Sequence, residues 1–114
     1  MKKPKLKVMA DYCSTGLWAE NGVNIEPSSV GVSPDTELLL KRWNNIYEDL
    51  PCGDVETDMS PARIAVFIAM GKIITKQLRK EIGKEYRIDF KPHVGLKYTL
   101  GRIFRINRTW RKES

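Results

Sequence analysis

The chain has 114 residues, 41% of them hydrophobic and 30% charged, with a formal net charge of +6 at pH 7. That length makes one domain, 1–114, and the apolar content, three tryptophans included, is enough for a core without disulfides or metal. Two cysteines far apart in sequence, Cys13 and Cys52, and a single histidine, His93, argue for free thiols and against a zinc site.

The N-terminus Met1-Lys2-Lys3-Pro4-Lys5 is basic, but no apolar run of signal-peptide length follows it. The run Ile64–Met70 is too short to span a bilayer and lysines follow it, so the chain is expected to be soluble and cytoplasmic, with no membrane partner. Leu6, Val8 and Ala10 alternate with polar or longer side chains, which predicts a strand with one buried face. Asp11-Tyr12-Cys13-Ser14-Thr15-Gly16 then leaves the strand. A cysteine after a strand invites a phosphatase-loop reading, but position 19, where that loop needs its arginine, is Ala19. Cys13 is therefore expected to be a small packed side chain. Asn21-Gly22 predicts a tight hairpin turn, because both residues tolerate positive φ, with Trp18 folded onto the core.

Ser33-Pro34-Asp35 starts a helix: a hydroxyl to accept a first-turn amide, then proline where no amide is needed. It is expected to run to about Asp49, with Leu39, Trp43, Ile46 and Leu50 as its apolar stripe and Leu40 and Tyr47 beside it. Residues 51–59 read as a polar connection. Ser60-Pro61 repeats the start chemistry for the longest periodic run, Pro61–Ile82, about 33 Å at 1.5 Å per residue. Phe67, Met70, Gly71, Ile74, Leu78 and Ile82 form its stripe, and Ile64, Val66, Ile68 and Ile73 widen it, so its first half is expected to be covered on more than one side. Gly83 is placed to close it in the left-handed conformation. Tyr86, Ile88 and Phe90 predict a second strand, able to pair in parallel with the first, and Leu96, Tyr98 and Leu100 a third. The fold class expected is α+β with α/β-like connectivity: two main helices on a short sheet of about three strands. Residues 92–114 form a basic C-terminal extension, within which 101–112 reads either as helix or as strand.

Charge is unevenly distributed. Residues 11–58 carry ten carboxylates against Lys41 and Arg42, whereas residues 84–114 carry nine cations against Glu85, Asp89 and Glu113. Most of these charges read as a solvated surface whose two signs attract each other across the fold. The sharper reading is two faces of opposite sign, either able to steer a charged partner. In the tail, Arg102, Arg105, Arg108 and Arg111 are interleaved with Phe104 and Trp110, the residue types that neutralise phosphates and stack on bases, so a nucleic-acid-binding segment is one reading. The other is a basic element that returns to the acidic middle of the chain. No spacing in the sequence assembles a catalytic constellation, and neither a cofactor nor enzymatic activity is expected.

The order of these pieces resembles a family of small bacterial proteins. That family shows a strand ending Ala-Asp-Tyr, a Leu-Trp pair, an Asn-Ile-Asp-Pro-like segment and a Leu-Pro-Leu-Ser-like helix start. Here those read Met9-Ala10-Asp11-Tyr12, Leu17-Trp18, Asn24-Ile25-Glu26-Pro27 and Val30-Gly31-Val32-Ser33-Pro34. Trp43 and Tyr47, Phe67 to Gly71, and Gly83 to Phe90 continue the pattern, so the match covers about residues 5–91. Gly31-Val32 departs from the usual Pro-Leu. Proteins similar to these accompany polymorphic toxin systems, including contact-dependent growth inhibition, as cytoplasmic immunity proteins that neutralise a toxin domain. The resemblance thus implies a protein partner and no catalytic residues. Nuclease toxins are usually basic, and on that argument Glu48, Asp49, Asp54, Glu56 and Asp58 are the expected contact surface.

Overall fold

A computed structural model of the protein describes residues 2–51 and 54–92, apart from the side chains of Glu56 and Thr57. The strand expected over residues 96–100 and the basic tail lie outside the described residues. Strands β1 (Lys5–Val8), β2 (Leu17–Ala19) and β3 (Arg87–Phe90) form one mixed sheet in the order β2-β1-β3. β1 pairs antiparallel with β2, Leu6 opposite Ala19 and Val8 opposite Leu17. It pairs in parallel with β3, Leu6 opposite Ile88 and Val8 opposite Phe90. The parallel pair is closed by a crossover carrying α1 (Pro34–Glu48), a single turn α2 (Val55–Asp58) and α3 (Pro61–Ile82). The result is a small α+β domain with two helices on one face of the sheet.

Alternation decides which side of the sheet meets the helices. Leu6, Val8, Leu17 and Ile88 are buried, and register sets Lys7 opposite Trp18 on the other face. Leu17, rather than Trp18, therefore enters the core. Trp18 is half-buried on the outer face, where its indole N–H donates to the Met9 carbonyl at 2.8 Å. The turn at Asn21-Gly22 forms with Gly22 at φ 88°, and Ala19 N–H donates to Val23 O at 2.8 Å. Its returning arm makes only a bridge, Asn24 to Trp18.

Both long helices begin as the sequence dictates, with Ser33 Oγ accepting from Thr36 N and Ser60 Oγ from Arg63 N. Their interface corrects the expected stripes. On α1 the buried side is Thr36, Leu40, Trp43, Asn44 and Tyr47, while Leu39 is exposed. On α3 it is Ile64, Phe67, Ile68, Gly71, Ile74, Thr75, Leu78 and Ile82, with Met70 only half-buried. The centre of the core is aromatic: Trp43 stacks on Phe67 with centroids 5.0 Å apart and an interplanar angle of 16°, and its indole N–H donates to Phe67 O at 2.9 Å. Phe90 closes the cluster at 6.0 Å from Trp43. Gly71 is what admits it, because a Cβ there would overlap the Phe90 ring and stand 3.0 Å from Trp43. Gly83 ends α3 at φ −66°, not in the left-handed region; its requirement is the close approach of the Arg79 carbonyl, which a Cβ would meet.

A carboxylate locks α3 to the start of α1. Glu81 accepts from Ser33 N at 2.7 Å, from the Thr36 hydroxyl and from Gln77 Nε2 at 2.9 Å. Burial pushes its pKa up, but these donors outweigh burial and bring it from the ordinary 4.5 down to about 2. A depressed carboxyl pKa contributes stability that is complete above 4.5 and disappears as pH falls toward 2. Glu81→Gln is expected to lose about 1–3 kcal/mol at neutral pH. Urea titrations at a series of pH values should show wild type and variant converging in acid. Parallel curves throughout would mean that Glu81 does not supply this link.

Candidate partner-binding site

The loop after β1 is strapped to the C-terminal half of α1. Asn44, buried within the apolar side of α1, has every polar atom used. Its Oδ1 accepts from Asp11 N and Ser14 Oγ, both at 2.9 Å, and its Nδ2 donates to Asp11 O at 3.0 Å and Ser14 O at 3.1 Å. A buried amide without such partners would cost about 1–3 kcal/mol, so the loop and the helix specify each other. Tyr12 completes the strap, with its hydroxyl donating to Leu50 O at 2.8 Å and its ring 5.2 Å from Tyr47. Cys13 is exposed at φ 51°, not packed as expected; the loop uses its backbone amide, which donates to Glu48 Oε1 at 2.7 Å.

That bond separates Glu48 from the other acids expected at the contact surface. Glu48 is half-buried and holds the loop, whereas Asp49 caps α1 and is exposed. Asp54 is exposed, and its backbone N–H donates to Asp58 Oδ2 at 3.3 Å; Asp58 is half-buried at the end of α2. Glu56 lies on the same turn, with its side chain outside the described residues. The fold thus converges Asp49, Asp54 and Asp58 at one end of the molecule. Burial raises the Tyr47 phenol, and the nearby Asp11, Tyr12 and Asp54 raise it further. Arg102, Phe104, Arg105, Arg108, Trp110 and Arg111, the alternative nucleic-acid surface, lie outside the described residues.

Asp49 and Asp58 share a cleft of about 490 Å³ between the end of α1, α2 and the start of α3. Ile46, Leu50, Met59 and Phe67 give it an apolar lining, and Pro51, Arg63 and Val66 complete its edge. Reasoning from the sequence missed these residues. Met59 stood in what read as a polar connection, and Val66 read as ordinary core. Two features of the cleft oppose local stability. Asp49 stands at the negative end of the α1 dipole, where the last turn holds no basic residue, and Arg63 stands at the positive start of α3, where the first turn holds no acid.

The far end of α3 has the opposite sign. Lys2, Lys3, Lys5, Arg79 and Arg87 line a cleft of about 670 Å³, and Lys72, Lys76 and Lys91 line a neighbouring one of about 790 Å³ that shares Arg79 and Asp89. Arg79 is fixed there by donating to Ile88 O from Nε at 3.1 Å and Nη2 at 2.7 Å. No group of three or more metal-ligating side chains gathers among the described residues. Nor is any helix among them long and apolar enough to cross a membrane.

A family model described as Serratia CdiI immunity protein-like matches residues 4–93. The chain belongs to that family. The matched span holds the three strands and two long helices of the described residues, and the acidic cleft. Membership in the CdiI immunity protein-like family supports an immunity role in contact-dependent inhibition and implies a cognate toxin protein as partner. A search of curated proteins returns no match.

Proposed function

We propose that the chain binds a cognate bacterial toxin domain, a nuclease, and neutralises it in the cytoplasm by protein–protein contact, without catalysing a reaction. The observation that carries this reading is the CdiI immunity protein-like match over residues 4–93. The contact surface is the acidic end, where Asp49, Asp54 and Asp58, with Glu56 on the same turn and Glu48 behind them, meet a basic toxin face. Asp49, set against the α1 dipole, is not explained by stability, whereas acids gathered at one end speed and orient the encounter with a cation-rich protein. The test identifies the cognate toxin domain, sought first in the neighbouring upstream gene, and co-expresses the chain with it. Protected growth is expected, and undiminished killing by an active toxin sinks the proposal.

The paired basic clefts favour a second reading, contact with a nucleic-acid backbone. Affinity for single-stranded RNA should then fall with salt at a log–log slope of about −0.7 per phosphate neutralised. Lysine-to-glutamate changes at Lys72, Lys76 and Lys91 should weaken it if the clefts bind, and removal of residues 101–114 if the tail does. Absence of binding at low salt rejects this reading.

A further inference from the structure

The water side of α3 carries a second apolar face. At 100° per residue, Ala62, Val66, Ala69 and Ile73 fall on one stripe, opposite the buried side centred on Phe67, Gly71 and Leu78. All four are exposed, Val66 at 59% and Ile73 at 65%. Single exposed aliphatics are ordinary, but a contiguous strip of them marks a surface that something covers. The stripe is also continuous with the acidic cleft, because Val66 belongs to both. Beyond Ile73 the same line of the helix continues into Lys80 and ends as an apolar surface.

We infer that the stripe and the cleft together form the docking surface for the toxin: a basic protein face whose apolar side chain enters the cleft beside Leu50 and Met59. This rests on the immunity reading above and adds to it the apolar anchor that charge alone does not provide, since binding energy concentrates in desolvated apolar contacts. Charge also selects the toxin over a second copy. Two-fold antiparallel packing of α3 on itself brings like flank against like flank. The acids of the cleft, on the Arg63 flank, would then face Gln77 and Glu81, which offer no cation. A cation-rich toxin face meets Asp49 and Asp58 directly.

The experiment measures binding of the purified cognate toxin domain to the full chain by calorimetry, alongside protection in co-expression. Val66→Asp and Ile73→Asp are each expected to weaken binding about tenfold or more, and the pair about a hundredfold or more, since each tenfold step is about 1.4 kcal/mol. Lys80→Glu, at the end of the stripe, should change it less than about threefold. Circular dichroism checks that the variants fold; should the aspartates unfold the chain, Val66→Ser and Ile73→Ser probe the same surface. Wild type that binds and protects while the folded variants bind equally well overturns this inference and leaves the immunity reading standing. Wild type that neither binds nor protects overturns both. A dimer that Ile73→Asp dissociates without loss of toxin affinity assigns the stripe to a second copy instead.

Discussion

Replacing Trp43 by alanine is expected to cost about 3–5 kcal/mol, the range for emptying a buried aromatic site. Trp43 is fully buried, stacked on Phe67 at 5.0 Å and bonded to its carbonyl, with Phe90 against its edge. It is the contact through which α1, α3 and β3 meet, so its loss leaves a void bordered by all three. Because domains of this size are stable by only about 5–15 kcal/mol, the loss takes a large share of the total and should lower the denaturation midpoint markedly. Urea denaturation of wild type, Trp43→Ala and Trp18→Ala checks this. Trp18 is half-buried on the outer face of the sheet, and its removal should cost less than half as much. Equal losses would mean that the core is not organised around Trp43.

Reversing Asp49, Asp54 and Asp58 together to lysine is expected to abolish protection while the chain remains folded. The effect should appear in the association rate, which falls about tenfold or more at low salt and converges with wild type as salt screens the field. Glu48 is left out of the set, because its carboxylate accepts from Cys13 N at 2.7 Å and reversal would release a loop 35 residues away as well as change the charge. Asp58 accepts from Asp54 N at 3.3 Å within its own turn, so circular dichroism must first show that the variant is folded. Stopped-flow association over a series of salt concentrations separates the two effects. The reciprocal set, Arg102, Arg105, Arg108 and Arg111 to glutamate, should leave protection nearly intact. If the tail set loses protection and the acidic set keeps it, the toxin meets the basic surface.

Local chemistry determined much of this protein from sequence alone. Ser33-Pro34 and Ser60-Pro61 state where each long helix begins, since hydroxyl caps and proline at the first helical position act within a few residues. The alternation in β1 and β3 is local too, and with two helices between them it led to the parallel pairing. The order of short motifs over residues 5–91 pointed to the immunity proteins, and the matched family spans residues 4–93. What the sequence left open depends on contacts between segments distant along the chain. Leu39 and Leu40 are equally apolar, and only the position of α3 decides that Leu40 is covered. Leu17 enters the core in place of Trp18, the residue expected there, because strand register with β1, rather than side-chain size, sets which one points inward. Glu48 looks like its acidic neighbours until folding brings Cys13, 35 residues away, to its carboxylate. Val66 and Ile73 share the composition of the core, and their exposure follows from there being no second layer over the outer side of α3 among the described residues. Periodicity marks both apolar faces of that helix alike; only the tertiary structure shows which one the core takes and which it leaves exposed.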